Sequence, residues 1–391
     1  MSKNTEKLRI IALVDCDSFF VSCEQADNHE LKNTPTCVIS GMNGCVLSRS
    51  KEAKQTGVKM GMPMFMAKRE FPNVNYIVAD HRKYHDYSKR VMECLKDFTP
   101  DIEIVSVDEA YLDITGTQEL FGKNYIDIIK MIRSTVLEKT DIPVSIGLSH
   151  SKTLAKLASD KAKHTGGIFK IGLNDIESVL AKTDIDEICG IGHGNSAILR
   201  RNGILLASEL IKKEDGFIKS LLGVRGVELK HELLGETVSK VSSKSEPPKS
   251  IQDTSVIGDG EFSDDLNTIK MEISQHIHNA CSRLRYYKGK CKIVGLILRT
   301  KDFTTICDRK ILLKPTDFEL TVQKAVAELL PKIYVENVLY RSTGIMLENI
   351  SYGGEQLSIF DESETIKEHN LSKCMENIEK RFGKNSIRTG F

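Results

Sequence analysis

Excess charge is the first thing this chain lacks. Across 391 residues, 55 Lys and Arg face 54 Asp and Glu, leaving a formal charge of +1. That excludes a globally basic coat of the histone-like kind, so any nucleic-acid partner has to be held by local patches and metal ions. Long apolar runs are missing too. The longest early one, Ile10 to Val14, stops at Asp15, far short of a membrane span or a signal-peptide core. None of the ten cysteines lies two to four residues from another, so no zinc knuckle or redox pair is spelled out. Scattered thiols without an export signal point to a reducing cytoplasm and no membrane. With 40% hydrophobic and 28% charged residues the chain can bury real cores, and its length suggests two or three domains.

The apolar run over residues 8–14 reads as a buried central strand. A helix is expected to start just after it, capped by Asp17 or Ser18. Thr36–Ser40 and Cys45–Ser48, around Gly41-Met42-Asn43-Gly44, read as a hairpin. Helical patterns cover Ser50–Lys59, His81–Phe98 and Tyr125–Glu138. A strand–turn–strand spans Ile102–Ile114, and a strand over Pro143–Leu148 leads into a Lys-rich helix over Ser151–Lys163. This alternation predicts an α+β sheet domain with an inserted subdomain at about 24–85. Short helices with glycine punctuation follow to about Lys240. The polar, Pro-paired stretch Ser242–Ser250 is the clearest linker, and a second α/β block spans Ile251–Asn349.

The sharpest chemical feature is Ser106–Thr115, SVDEAYLDIT. An extended chain sends Asp108 and Glu109 to opposite faces, so both reach one site only if the hairpin turn falls there. Asp15, ending the other apolar strand, is the natural third carboxylate. Such groups repel one another unless cations intervene; two Mg²⁺ ions about 4 Å apart could bind them and bridge a nucleotide's phosphates. The plain alternative is that turns are simply acidic. In the Lys-rich helix, Lys152, Lys156 and Lys163 share an arc of roughly 40° opposite Leu154 and Leu157. Two readings stay open for it: the solvated face of an amphipathic helix, or a phosphate rail facing the metal site.

These motifs also carry a resemblance. VDCDSFF at 14–20, SRSKEAKQTGVKMGMP at 48–63, SVDEAYLDITG at 106–116, GLSHSKTLAKLASDKAK at 147–163 and GIG at 190–192 stand in the order and spacing of the Y-family (translesion) DNA polymerases. The tail YRSTGIMLENISYGGEQLSIFD at 340–361 resembles the UmuC branch. The resemblance implies an α+β right-hand polymerase: palm at 1–23 and 86–172, small fingers at 24–85, and a helical thumb with a helix-hairpin-helix at 173–240. It further implies a linker at 241–250, an α/β little finger at 251–350 and a tail at 351–391. It implies Asp15, Asp108 and Glu109 as catalytic metal ligands, helped by the Cys16 carbonyl, with Asp17 outside the set. Nucleotide contacts fall to Ser18, Phe19, Phe20, Ser48, Lys51, Lys54 and Lys163, and Phe20 takes the steric-gate position. Read without the resemblance, Phe20 is a core aromatic beside Phe19. Lys51 departs from the pattern, since many relatives have Tyr there.

DNA grips are expected at Gly190 and Gly192, whose turn resembles a helix-hairpin-helix, and along Cys281–Lys292, which holds five basic residues and no acid. Within that run Arg283, Arg285, Lys288 and Lys290 are the candidates; a solvated helix end is the alternative. Gln356, Leu357, Ser358, Ile359 and Phe360 match the bacterial sliding-clamp-binding pentapeptide, an apolar island in a polar tail. The partners implied are primer-template DNA, dNTP, the clamp and a UmuD-like subunit. Lesion bypass, mutagenesis and a part in the SOS response come with the family. The small Gly41–Gly44 segment is a candidate roof over the templating base. Rival readings are another two-metal palm enzyme, such as a nucleotide cyclase, and a catalytically silent, clamp-tethered DNA-binding accessory factor.

Overall fold

A computed structural model describes residues 8–41, 44–244, 246–258 and 262–353, with scattered positions from 370 onward. The chain divides into two compact units, Met1–Ser245 and Glu246–Phe391.

The first unit opens with β1 (Ile11–Cys16), α1 (Phe19–Asp27), β2 (Thr36–Ile39), β3 (Val46–Arg49), α2 (Lys51–Thr56), α3 (Met64–Glu70) and β4 (Asn75–Val78). There follow α4 (His81–Lys96), β5 (Ile102–Ile104), β6 (Glu109–Asp113), α5 (Thr117–Phe121), α6 (Tyr125–Thr140), β7 (Val144–Ser149), α7 (Lys152–Ala162) and β8 (Ile168–Lys170). It closes with α8 (Ile176–Leu180), α9 (His193–Arg201), α10 (Ala207–Ile211) and α11 (Asp215–Leu233), the last kinked at Gly223. A five-stranded sheet has the order β5-β6-β1-β7-β8, and a three-stranded one β3-β2-β4.

Every residue of β1 is buried, as a strand paired on both edges and covered on both faces must be. Its alternation sorts the core. Ala12, Val14 and Cys16 pack with α4 and α6, whereas Ile11 and Leu13 pack against Ala155 of α7. Period two therefore sends Asp15 toward α7. That helix lies hard on the sheet. A methyl group at Gly147 would meet the Ser159 amide nitrogen at 2.1 Å and the Ala155 carbonyl at 2.2 Å. Ser151 caps the helix, its hydroxyl accepting from the Leu154 amide at 3.2 Å.

The expected strands and helices of this unit are present; α3, β4, α5 and β8 went unread. The proposed borders need correction. A break between 85 and 86 would cut α4, whose Tyr84 and Tyr87 share the core of the five-stranded sheet, while the small apolar core of the inserted subdomain runs from Cys37 to Val74. A linker from 241 also starts too early. The Thr237 hydroxyl donates to the His150 carbonyl (2.9 Å), and the Ser242 amide to the Glu103 carboxylate (2.8 Å), so the chain stays tied to the body to that point. The helical region after Gly172 shares its core with Leu154, Leu157 and Ala158 of α7.

In the second unit, β9 (Ser250–Val256), α12 (Leu266–Tyr286), β10 (Gly289–Thr300), β11 (Thr305–Thr316), α13 (Glu319–Ile333) and β12 (Tyr340–Tyr352) form an antiparallel sheet of order β11-β10-β12-β9. α12 and α13 cover one face through Val294, Leu296, Leu298, Ile345 and Leu347. All ten cysteines are free, six of them buried. Among the described residues no helix is long and apolar enough to cross a membrane.

Candidate active site

Antiparallel register places Asp15 directly opposite Glu109 on β6. Partners in register point to the same face, so Glu109 joins Asp15 on the α7 side. The hairpin turn falls just before Glu109: the Cys16 amide donates to the Asp108 carbonyl at 2.9 Å, and β6 begins one residue later. Asp108 therefore escapes strand parity, as the expected turn requires. Its own carboxylate accepts from the Ser106 hydroxyl at 2.6 Å.

α7 supplies the counter-charge. Lys156 Nζ donates to Asp15 Oδ2 at 3.1 Å and to Glu109 Oε1, and Lys163 Nζ reaches Asp15 Oδ2 at 2.8 Å. Lys152 binds Glu103 at 2.5 Å. The lysine arc is thus neither a solvated face nor a rail waiting for phosphate alone: it pairs with buried Asp15 and with half-buried Glu103 and Glu109. Burial pushes the Asp15 carboxyl up, but hydrogen bonds with Glu109 and Lys163 outweigh this and hold it below the ordinary carboxylate range. Glu109 moves the other way, raised by burial and by its contact with Asp15. Both ammoniums are raised, since the carboxylates more than offset their burial. Asp17 stands apart, accepting from Ser145 at 2.8 Å and raised by burial.

The donor chemistry, carboxylate oxygens at the end of two strands, suits a hard divalent cation. The grouping as it stands is looser than the expected cage: among the described residues no three His, Cys, Asp or Glu side chains are gathered closely enough to hold a metal ion. Asp108 is engaged with Ser106, and Lys156 bridges the other two acids.

Ser18 takes the cap position of α1 with φ 48° and makes no capping bond; its hydroxyl accepts from Lys54 Nζ at 2.9 Å instead. Its carbonyl accepts from the buried Ser48 hydroxyl at 3.2 Å, so Ser18, Ser48 and Lys54 meet at one corner. Burial and the charge of Arg49 depress the Lys54 ammonium. Lys51 is exposed on the first turn of α2. Phe19 is buried, whereas Phe20 is half-buried and its ring lies flat on Tyr84, centroids 4.4 Å apart at 15°. Tyr84 is itself fixed by donating to Glu24 at 2.7 Å, and His81 meets Phe20 edge-on. Sequence reasoning left out this bracing and the grip of Lys156; only the lysine arc signalled the latter.

Gly190, at φ 95°, and Gly192 flank the buried Ile191 and lead into α9, but the element before them is one 3₁₀ turn, Ile185–Glu187, not a full helix. Arg285 needs correction as a DNA contact. Its side chain is 11% exposed and binds Glu319 at 2.9 Å, because the last turn of α12 points it at the buried start of α13. Arg283 is exposed and donates to the Gln252 carbonyl at 3.1 Å. Lys288 is exposed in the turn and Lys290 is half-buried on β10. Gln356–Phe360, and Met42 and Asn43 of the roof segment, lie outside the described residues.

Comparison with known proteins identifies the family. The impB/mucB/samB family matches residues 14–160, and its C-terminal domain residues 248–359. Protein SamB of Salmonella typhimurium is 30% identical over 369 residues, spanning 90% of this chain and 86% of SamB. DNA polymerase IV of Clostridium kluyveri is 30% identical over 401 residues and 98% of each chain. UmuC-type proteins and polymerases IV thus match at the same level. Among solved structures, a Y-family DNA polymerase chimera of Dbh and Dpo4 aligns with a TM-score of 0.73 at 26% identity, over 88% of this chain and 100% of that one. The insertion ternary complex of Dbh DNA polymerase gives 0.58 over the same shares. The chain belongs to the impB/mucB/samB family, the Y-family DNA polymerases.

Proposed function

We propose that this enzyme adds dNTPs to a primer 3′-hydroxyl under the direction of a DNA template, and does so across damaged bases. One observation carries the reading: Asp15 and Glu109 face each other in register beneath a helix that aims lysines at them, with Phe20 in the first turn of the helix that follows β1.

Asp15, Asp108 and Glu109, with the Cys16 carbonyl, would hold two Mg²⁺ ions, which when bound lower the pKa of the primer hydroxyl and neutralise the departing pyrophosphate. The residues present suit this in donor type, and Asp108 would join the pair by exchanging its Ser106 contact for the metal. Lys163 and Lys54 add positive charge for the triphosphate, with Ser18 and Ser48 at the same corner. Lys51 offers an ammonium where a hydroxyl is usual. Phe20, held flat by Tyr84, takes the position under the sugar, where a 2′-hydroxyl would clash. Positioning and charge neutralisation are most of what nucleotidyl transfer asks of a protein.

DNA would be gripped through the Gly190–Gly192 amides and through Arg283, Lys288 and Lys290. Gln356–Phe360 would tether the enzyme to the bacterial sliding clamp in the cytoplasm, with a UmuD-like subunit as a further partner. The test is Asp108→Ala. Primer extension with Mg²⁺ should vanish while primer-template affinity stays within about threefold, since the carboxylate removed is none of the proposed phosphate grips. Retained extension would overturn the assignment.

A further inference from the structure

Lys156 and Asp160 stand one helical turn apart on the same side of α7. The Lys156 ammonium is within ion-pair reach of three carboxylates at once. It donates to Asp15 Oδ2 at 3.1 Å and to Glu109 Oε1, and Asp160 Oδ1 lies 3.6 Å from the same nitrogen. The three acids differ in depth. Their side chains are 6% exposed at Asp15 and 22% at Glu109, but 45% at Asp160. Lys163 spans the same range, with Asp15 at 2.8 Å and Asp160 at 3.6 Å, so these two acids are close enough for one ammonium to serve either.

Geometry makes the Lys156 ammonium a stand-in for a divalent ion. Asp15 and Glu109 are the acids in direct register, and the lysine binds an oxygen of each. Mg²⁺ would use the same oxygens, at about 2.0–2.1 Å. The two cations exclude one another, because a single and a double positive charge about 4 Å apart repel strongly where water screens poorly. The flexible four-carbon stem of a lysine lets its head group leave while the helix stays in place.

Unequal costs set the direction of the exchange. With no dication bound, an ammonium that left Asp15 would strand a buried carboxylate, a far larger penalty than leaving half-exposed Asp160 unpaired. Once a dication neutralises Asp15 and Glu109, the balance reverses and Asp160 becomes the better partner. We propose that Lys156 is a placeholder for the metal ion: it holds Asp15 and Glu109 together until a divalent cation enters, then moves to Asp160, and this exchange sets how tightly the metal binds. The proposal deepens the two-metal reading of Asp15 and Glu109, on which it rests, and assigns Asp160 a part as the receiving acid.

The test reads metal binding directly, with no substrate present. Full-length protein at neutral pH is titrated with Mn²⁺, and the free ion is followed by electron paramagnetic resonance. Lys156→Met should bind Mn²⁺ about tenfold to hundredfold more tightly than wild type, because the competitor is gone. Asp160→Asn should bind it about threefold to tenfold more weakly, because the displaced ammonium has lost its second partner. A double variant separates this from plain loss of charge. Asp160 acts through Lys156, so adding Asp160→Asn to Lys156→Met should change affinity by less than about twofold. Equal losses from Asp160→Asn in both backgrounds would overturn the proposal, as would a Lys156→Met affinity within twofold of wild type. Lys156→Gln, whose amide still donates to a carboxylate, replaces Lys156→Met with the same expectations if the latter does not fold. Asp15→Asn distinguishes the two readings. Lost Mn²⁺ binding there with no response at Lys156 sinks the placeholder alone, whereas unchanged binding in Asp15→Asn overturns the metal assignment and the placeholder with it.

Discussion

Lys156 bridges Asp15 and Glu109, two carboxylates from separate strands that stand in direct register. The lysine side chain is 17% exposed and Asp15 only 6%, so the pair is held together where water screens poorly. Replacing Lys156 by Met should destabilise the protein by about 2–4 kcal/mol, near the usual cost of unpairing buried charge. The loss should shrink in mildly acidic buffer, because burial and its contact with Asp15 raise the Glu109 carboxyl, so acid neutralises it sooner than an ordinary Glu. Urea denaturation in EDTA measures it, and unchanged stability would mean that the bridge is dispensable.

Phe20 owes its orientation to stacking on Tyr84. Phe20→Ala should lower the preference for dNTP over rNTP by about one to two orders of magnitude, a range typical of a steric pocket. The readout is the ratio of kcat/KM for the two nucleotides. An unchanged ratio would leave Phe20 with no part in sugar selection.

Gly147 lets α7 sit against β7, and α7 carries Lys156 and is followed at its C-cap by Lys163. Gly147→Ala sets a methyl group against backbone atoms at 2.1 and 2.2 Å, so the helix itself must shift. The expected cost is about 1–3 kcal/mol of stability, together with a fall in extension rate, because Lys156 and Lys163 move with the helix. A melting curve and a single-turnover assay on the same preparation check both parts.

Glu319 lies buried between His278 and Arg285. Burial pushes its carboxyl up, yet these two partners outweigh burial and depress it below the ordinary 4.5. A depressed acid contributes stability that is complete above its unfolded pKa and fades as pH falls through the folded value. Glu319→Gln should therefore weaken the C-terminal unit at neutral pH and flatten its loss of stability on acidification from about pH 5 to 3. A variant with the wild-type slope in that window would assign the acid response to other groups.

Local pattern made much of this legible. Apolar runs marked β1 and β7, and helical spacing marked α4, α6 and α7. The order of motifs from Val14 to Gly192 pointed to the family before any contact was visible. Two lone dipeptide-scale signals, Asp108-Glu109 and Gly190-Gly192, gained their meaning from that order.

Sequence alone determined which side chains alternate to which face of a strand and which lysines share one side of a helix, because both follow from the backbone's own period. Tertiary structure decided what those faces meet. Asp15 and Glu109 are 94 positions apart, and Asp15 and Lys156 are 141 apart. No local periodicity encodes a register across such distances; it emerges when β1 settles between β6 and β7 and α7 closes over them. The same holds for Arg285. It reads as an exposed base in a basic run, but packing of α12 against α13 turns it onto Glu319, since a buried acid needs a nearby cation more than solvent does.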